Sequence, residues 1–169
     1  MAGGNVHPGR FTAHIDGDFV VFMIGMRINK PWKVHRWMPV AKAMPPMIRS
    51  LMTNPAQGML GVASWFGRTT MMVQYWRSFE DLDRFARNPD EPHLAAWRRF
   101  NKVIAASGDV GIWHETYKVG AGAYEAVYGN MPVFGLASAG DHEPIGRRGQ
   151  SAARRIGAAQ TDEVAVEGY

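Results

Sequence analysis

The order in which strand-like and helix-like segments follow one another is the feature that most limits what this chain can form. Strand segments are recognised by branched and aromatic residues, and helical segments by apolar residues three and four positions apart. The predicted order is strand 19–29, helix 39–53, strands 59–66 and 69–77, a helix from Ser78 to about residue 88, helix 91–106 and strand 110–119. The pattern is therefore β-α-β-β-α-β, with its second helical region in two parts.

Residues with strong local preferences mark the boundaries of these segments. Gly67 and Arg68 lie between two strand-like runs and are typical of a hairpin turn. Ser78 precedes acidic residues and is suited to cap the helix that follows. Pro45 and Pro46 interrupt the first helical pattern, so that helix is either kinked or begins at Pro46.

This order is typical of a ferredoxin-like α+β fold, in which helices cover one face of a four-stranded antiparallel sheet. Strands 69–77 and 110–119 carry large apolar side chains on both faces, and a monomer rarely exposes such a patch. A second copy of the chain is the simplest cover, so the sequence predicts a homodimer. We expect the domain to occupy residues 18–137, between a flexible N-terminal arm (1–17) and a mostly disordered C-terminal tail (138–169) that is rich in Gly, Ala and Arg.

Composition and motif content exclude several classes of function. The 169 residues contain no cysteine, which excludes disulfide frameworks, thiolate metal sites and cysteine nucleophiles. We find no phosphate-binding loop and no cluster of acids or histidines with metal-ligand spacing, so no metal site is predicted.

The charge pattern and the apolar runs bear on partners and on location. The formal net charge is +4, but basic residues cluster only at 30–37, which is too few for a nucleic-acid surface. No apolar run is long enough for a membrane span, and the first residues lack the apolar stretch of a signal peptide. We expect a cytoplasmic protein with neither a nucleic acid nor a membrane as its partner.

Two histidines are the candidate catalytic residues. His114 lies in the middle of the last strand, where an imidazole could act as an acid or base or could ligate a haem. His93 lies in the first turn of helix 91–106, where the helix dipole disfavours its cationic form. For each histidine, the alternative is a core residue that hydrogen-bonds a carboxylate or a carbonyl group.

A second group of residues could orient a ligand in an apolar cavity. Small-molecule sites usually combine apolar and aromatic walls with a few polar groups. Such groups could equally bind loop backbone, and most of the tryptophans could equally belong to the core. The candidate substrate-binding residues are Arg27, Asn29, Gln74, Trp76, Trp97 and Asn101.

Several sequence segments resemble a monooxygenase-like family of the dimeric α+β-barrel superfamily, similar to the antibiotic biosynthesis monooxygenases. The resemblance covers about residues 18–137 and includes the strings WFGRTT at 65–70 and GDVGIWHETY at 108–117. The other matching segments are 26–37, 74–80, 93–97 and 124–132. The resemblance implies a dimer in which two sheets pack face to face with the helices outside.

The same resemblance implies a small-molecule oxygenase. Related enzymes oxidise aromatic or polyene substrates with O2, some of them without any cofactor, and we expect a hydrophobic substrate of this kind. In a mechanism without cofactor, His114 or His93 would be the base, and Arg27, Gln74 or Asn101 would stabilise the oxyanion. Two alternatives stay open: a haem protein with His93 or His114 as axial ligand, and a dimeric module that binds an apolar ligand without catalysis. The cofactor is therefore either none or haem.

Overall fold

The computed structural model describes residues 4–88, residue 100 and residues 107–162. Its four-stranded sheet consists of β2 (Phe19–Ile28), β3 (Met59–Trp65), β4 (Met71–Trp76) and β5 (Val110–Val119), in the order β3-β4-β2-β5. Strand β4 runs antiparallel to both β2 and β3. This is the strand order of a ferredoxin-like sheet, so the predicted fold class is confirmed.

Two helices follow β2 and β4, as the sequence pattern predicts. Helix α1 (Val34–Thr53) lies between β2 and β3, and a short 3-10 helix (Pro55–Gln57) follows it. Helix α2 (Phe79–Arg87) follows β4, and its first turn is capped by the Ser78 hydroxyl, which accepts a hydrogen bond from the Asp81 backbone N–H at 3.1 Å. The helix predicted over 91–106 lies outside the described residues, apart from Phe100.

Helix α1 begins earlier than the sequence predicts and continues through its three prolines. The sequence pattern predicts a helix that starts at Pro39 and is kinked, or one that starts at Pro46, but the helix begins at Val34. Pro39, Pro45 and Pro46 are all exposed, so the backbone carbonyl groups that lose their partner at each proline can bind water instead. Prolines on the outer side of a helix are compatible with a bend around the core.

Two separate hydrophobic clusters pack α1 and α2 against one face of the four-stranded sheet. The first cluster has Val20, Leu51, Trp76 and Leu82 at its centre, and the second has Met26, Phe100 and Val110. Helix α1 contributes Ile48 and Leu51 to the first cluster, and Trp37, Val40 and Ala41 to the second. It therefore extends along this face from one cluster to the other.

An acidic residue joins the end of β2 to the start of β5. The Asp109 carboxylate is 2% exposed, and it accepts hydrogen bonds from Lys30 at 2.9 Å and from Lys33 at 3.0 Å. Its backbone carbonyl also accepts hydrogen bonds from the N–H groups of Asn29 and Lys30. Two cations of the basic cluster at 30–37 therefore have a structural partner within the fold.

The two ends of the chain form a second sheet, which differs from the sequence prediction. Strand β1 (His7–His14) lies between β6 (Tyr128–Met131) and β7 (Asp141–Pro144) and is antiparallel to both. Two 3-10 helices (Gly135–Ser138 and Ile145–Arg147) and the short helix α3 (Ala152–Arg155) complete this part of the chain. The expected arm at 1–17 and the expected disordered tail after 137 thus contain regular structure.

The reason for this difference is that the pairing partners are far apart in the sequence. Residues 11–14 pair with residues 141–144, and neither segment has a strong strand pattern of its own. Thr12, Ala13, Leu136, Ala137 and Ile145 are nevertheless buried. The chain forms two compact units, one of residues 20–117 and the other of 1–19 with 118–169.

Within the described residues, no helix is both long and apolar enough to cross a membrane.

Candidate functional site

The candidate site is a row of side chains in the middle of the helix-facing side of the four-stranded sheet. In the strand register, Gln74 lies directly opposite Phe22 on one side and Val62 on the other. The ring of Phe22 lies 5.7 Å from the ring of His114 on β5. The row therefore crosses all four strands in the order Val62, Gln74, Phe22, His114.

Along the direction of the strands, the row lies between the two clusters, and Phe22 of the row packs against the first cluster. Trp76 and Val20, two residues along from Gln74 and Phe22, belong to the first cluster. Ile112, two residues before His114, packs against the second cluster. The row is thus the part of the helix-facing side that carries polar groups between two apolar packing regions.

Gln74 is 5% exposed and has one strong hydrogen bond. Its Oε1 accepts a hydrogen bond from the Trp76 indole Nε1 at 3.0 Å. No hydrogen bond to its amide nitrogen occurs within the described parts of the chain. Although it is unpaired within these residues, this nitrogen is not fully enclosed, so part of it stays accessible. The amide group can therefore offer its N–H donors to a bound molecule.

His114 is exposed, and its ring is tilted by 43° to that of Phe22. Neighbouring strands are about 4.8 Å apart, so the backbones of Gln74 and His114 are separated by about 10 Å across Phe22. This separation is about the width of one flat aromatic molecule lying along the row, with a donor at one edge and an imidazole at the other. Such an arrangement can bind an aromatic molecule, hold a negatively charged oxygen and accept a proton.

The structure brings together some of the predicted site residues and separates others. Gln74 and His114 belong to the same row, and Trp76 lies behind Gln74 with an exposure of 0%. Because Trp76 is fully enclosed by the first cluster, it does not line the site as expected, and it reaches the site only through Gln74.

Two predicted residues lie elsewhere. Arg27 is exposed on the opposite face of the sheet, where its Nη1 donates a hydrogen bond to the Thr69 hydroxyl at 2.7 Å. The Asn29 amide nitrogen donates to the Gly108 carbonyl at 3.1 Å, so Asn29 supports the loop before β5. Neither belongs to the row. The predictions for His93, Trp97 and Asn101 lie outside the described residues.

Phe22 is the site residue that sequence reasoning missed. It belongs to an apolar strand in which every second residue points to the same side, and nothing in the local sequence distinguishes it from its neighbours. Its position becomes informative only through the register, which places it between Gln74 and His114.

A groove of about 710 Å³ runs along α1, but it is separate from this row. Its lining includes Val34, His35, Pro39 and Lys42, all of which are exposed. Their positions on α1 are roughly opposite those of Val40, Ile48 and Leu51, which pack on the sheet.

Within the described part of the chain, no group of three or more His, Cys, Asp or Glu residues could hold a metal ion.

A protein-family model matches most of the chain. A family described as monooxygenase af470-like matches residues 19–136. A curated relative, monooxygenase af470 of Aspergillus fumigatus, is 28% identical over 123 residues. That alignment covers 68% of this chain and 43% of the relative, so the chain spans less than half the length of the relative.

Similarity to solved structures is weaker. A dimeric protein of unknown function with a ferredoxin-like fold, from Bacteroides fragilis, aligns with a TM-score of 0.43 at 11% identity, over 59% of this chain and 95% of its own. A Bordetella bronchiseptica protein, named provisionally as an antibiotic biosynthesis monooxygenase, aligns with a TM-score of 0.30 at 15% identity. That alignment covers 57% of this chain and 94% of the other.

Proposed function

Because the chain belongs to the monooxygenase af470-like family, we propose that it is a small-molecule oxygenase that acts on a hydrophobic aromatic or polyene metabolite. One observation carries the choice of substrate class: Gln74, Phe22 and His114 form one row across adjacent strands. The row offers an apolar floor for a flat molecule and a polar group at each edge. This combination is typical of small-molecule sites.

The proposed reaction uses O2 and needs no other reductant. A base removes a proton from an activated CH2 group, and the resulting carbanion, delocalised as an enolate, gives electrons to O2. A carbon–oxygen bond forms, and the resulting hydroperoxide loses water to leave a carbonyl group. A CH2 group and O2 thus become C=O and H2O, so the substrate itself supplies every electron that O2 takes up.

In this mechanism His114 is the base and Gln74 stabilises the oxyanion. The imidazole of His114 is exposed beside Phe22, so it can meet a substrate proton. The Gln74 amide offers preorganised N–H donors to the oxygen on which charge develops. His93, Trp97 and Asn101 stay predictions for the same site.

The test is oxygen consumption with a panel of hydroxylated polycyclic aromatics that carry an acidic CH2 group. Incorporation of ¹⁸O from ¹⁸O2 into the product is followed by mass spectrometry. Loss of a general base lowers the rate by about 10²–10⁴-fold, so we expect His114→Ala to lose most of its turnover. His35→Ala, an exposed histidine of α1, is the matched control and should keep the parent rate.

Two results would contradict the assignment of the base. One is full turnover in His114→Ala, whatever the turnover of His93→Ala. The other is a Soret shift on addition of hemin that disappears in His114→Ala, because His114 would then be an axial ligand instead of a base.

We also propose that the protein works as a homodimer. The face of the sheet opposite the helices has an apolar centre, in which Val73 lies between Ala63 and Met23 in the strand register. Arg27 and Glu115, which have opposite charges, are exposed on the same side. An apolar centre with a polar rim is the usual composition of a protein–protein interface.

A further inference from the structure

The hydrogen bond from Trp76 determines which end of the Gln74 amide faces the site. An indole N–H can only donate, so the Gln74 atom at 3.0 Å from Trp76 Nε1 must be the carbonyl oxygen. The amide nitrogen, which can only donate, then points away from the indole. A glutamine without such a neighbour could present either end to a ligand.

Trp76 is held firmly enough to impose this choice. Its side chain is 0% exposed and packs among Val20, Leu51 and Leu82. The Phe85 ring of α2 lies 5.6 Å from the indole ring. Because Trp76 and Gln74 are two residues apart on one strand, both side chains leave the same face of the sheet. The indole is therefore a fixed donor behind a glutamine that has only one satisfactory orientation.

We propose that Trp76 is a positioning residue which makes Gln74 an obligatory hydrogen-bond donor, so that the site selects flat apolar ligands bearing an acceptor oxygen at one edge. This inference rests on the proposed function, because it assigns the polarity of the same row. A carbonyl oxygen or an oxyanion satisfies the Gln74 amide. A hydrocarbon of equal shape leaves the amide unpaired in a buried place, which costs binding free energy.

The experiment compares two probes of nearly equal shape, 2-acetylnaphthalene and 2-ethylnaphthalene, of which only the first has an acceptor oxygen. Dissociation constants are measured by equilibrium dialysis with chromatographic detection, which does not depend on tryptophan fluorescence. For the parent protein we expect the ketone to bind about fivefold more tightly, which is the effect of one net hydrogen bond. Equal affinities, or no binding of either probe, would overturn the proposal.

Variants of the two residues test the role of each. Gln74→Glu still accepts from Trp76 but turns a carboxylate oxygen towards the ketone, so the preference should reverse. Trp76→Phe keeps an aromatic ring without the donor, so the amide is free to rotate and the preference should fall towards equality. Trp37→Phe is the control, because the Trp37 indole donates to the Pro31 carbonyl at 2.9 Å, and the preference should not change.

The ratio of the two affinities distinguishes a positioning role from general destabilisation, because destabilisation would weaken the binding of both probes alike. The Gln74 side-chain amide signals in a ¹⁵N–¹H spectrum give a second readout. The ring current of either bound probe can shift them, but only the ketone should add the downfield proton shift of a new hydrogen bond. An unchanged ratio in both Trp76→Phe and Gln74→Glu would overturn the inference. Normal ratios together with no oxygen consumption would instead reject the proposed oxidation.

Discussion

Asp109 is the residue whose ionisation state has the clearest consequence for stability. Hydrogen bonds from Lys30, and then from Lys33, lower the pKa of its carboxyl group to about 2, against the opposing effect of burial. A carboxyl group with a depressed pKa in the folded state stabilises the fold above its unfolded pKa of 3.8. That contribution disappears as the pH falls from 3.8 towards about 2.

Replacing Asp109 by Asn should therefore lower the free energy of unfolding in a pH-dependent way. In urea unfolding, we expect the difference between parent and Asp109→Asn to be constant from about pH 8 to about pH 5 and to shrink below about pH 4. Asp83→Asn is the control, because Asp83 pairs with Arg87 at an exposed place on α2 and such pairs contribute little. A difference that does not narrow in acid would show that the ion pairs are not the cause.

At the residue level, the sequence predicts which side chains are chemically unusual but not what they touch. Gln74 and His114 stand out as polar residues among apolar ones, and the structure places both in the same row. Arg27 and Asn29 stand out for the same reason, yet both donate hydrogen bonds to residues of neighbouring loops. Only the strand register distinguishes Gln74 and His114, which share a row, from Arg27 and Asn29, which do not. That register depends on contacts between distant parts of the chain.

At the scale of elements, strands with strong local patterns are predictable and strands formed by distant pairing are not. The predicted strands of the four-stranded sheet agree with β2, β3, β4 and β5 to within two residues at each end. In contrast, β1 and β7 have mixed polar sequences, and they become strands only by pairing with segments that are distant in the sequence. The same reasoning applies to α1, whose prolines interrupt the sequence pattern while the packed helix continues.

Hydrogen exchange tests the order of these terminal strands. The ladder pairs Thr12 with Glu143 and Ala13 with His142, so we expect amides over 11–14 and 141–143 to exchange at least tenfold more slowly than those in the exposed turn at 16–18. A chain that ends at residue 137 lacks β7 and should lose protection at 12–14. If both segments exchange as fast as the turn, the termini are disordered, as the sequence alone predicts.

For the whole molecule, the face of the four-stranded sheet opposite the helices is the feature that predicts a partner. Its strands place Val21 opposite Tyr75 and Met23 opposite Val73, which gives a continuous apolar surface across β2 and β4. On the same side, Trp113 lies over Gly25, where an added Cβ atom would come within 2.8 Å of the indole nitrogen. Soluble monomers rarely expose apolar surface of this kind, so the face is suited to bind a second copy.

A charge at the centre of this face should separate the two copies. Burying the Arg side chain of Val73→Arg in an apolar interface without a partner costs several kcal/mol, so the dimer dissociation constant should rise by at least 100-fold. Sedimentation velocity at about 10 µM should then give a dimer for the parent and a monomer for Val73→Arg.

Met52→Arg is the matched control for the same added charge. Met52 is 65% exposed on α1, which packs against the other face of the sheet, so this variant should stay dimeric. A monomeric parent protein, or a Val73→Arg variant that remains a dimer, would contradict the proposed interface. Because Val73 points away from the row of Gln74, Phe22 and His114, the monomeric variant should still prefer 2-acetylnaphthalene, which makes ligand selection a property of each copy.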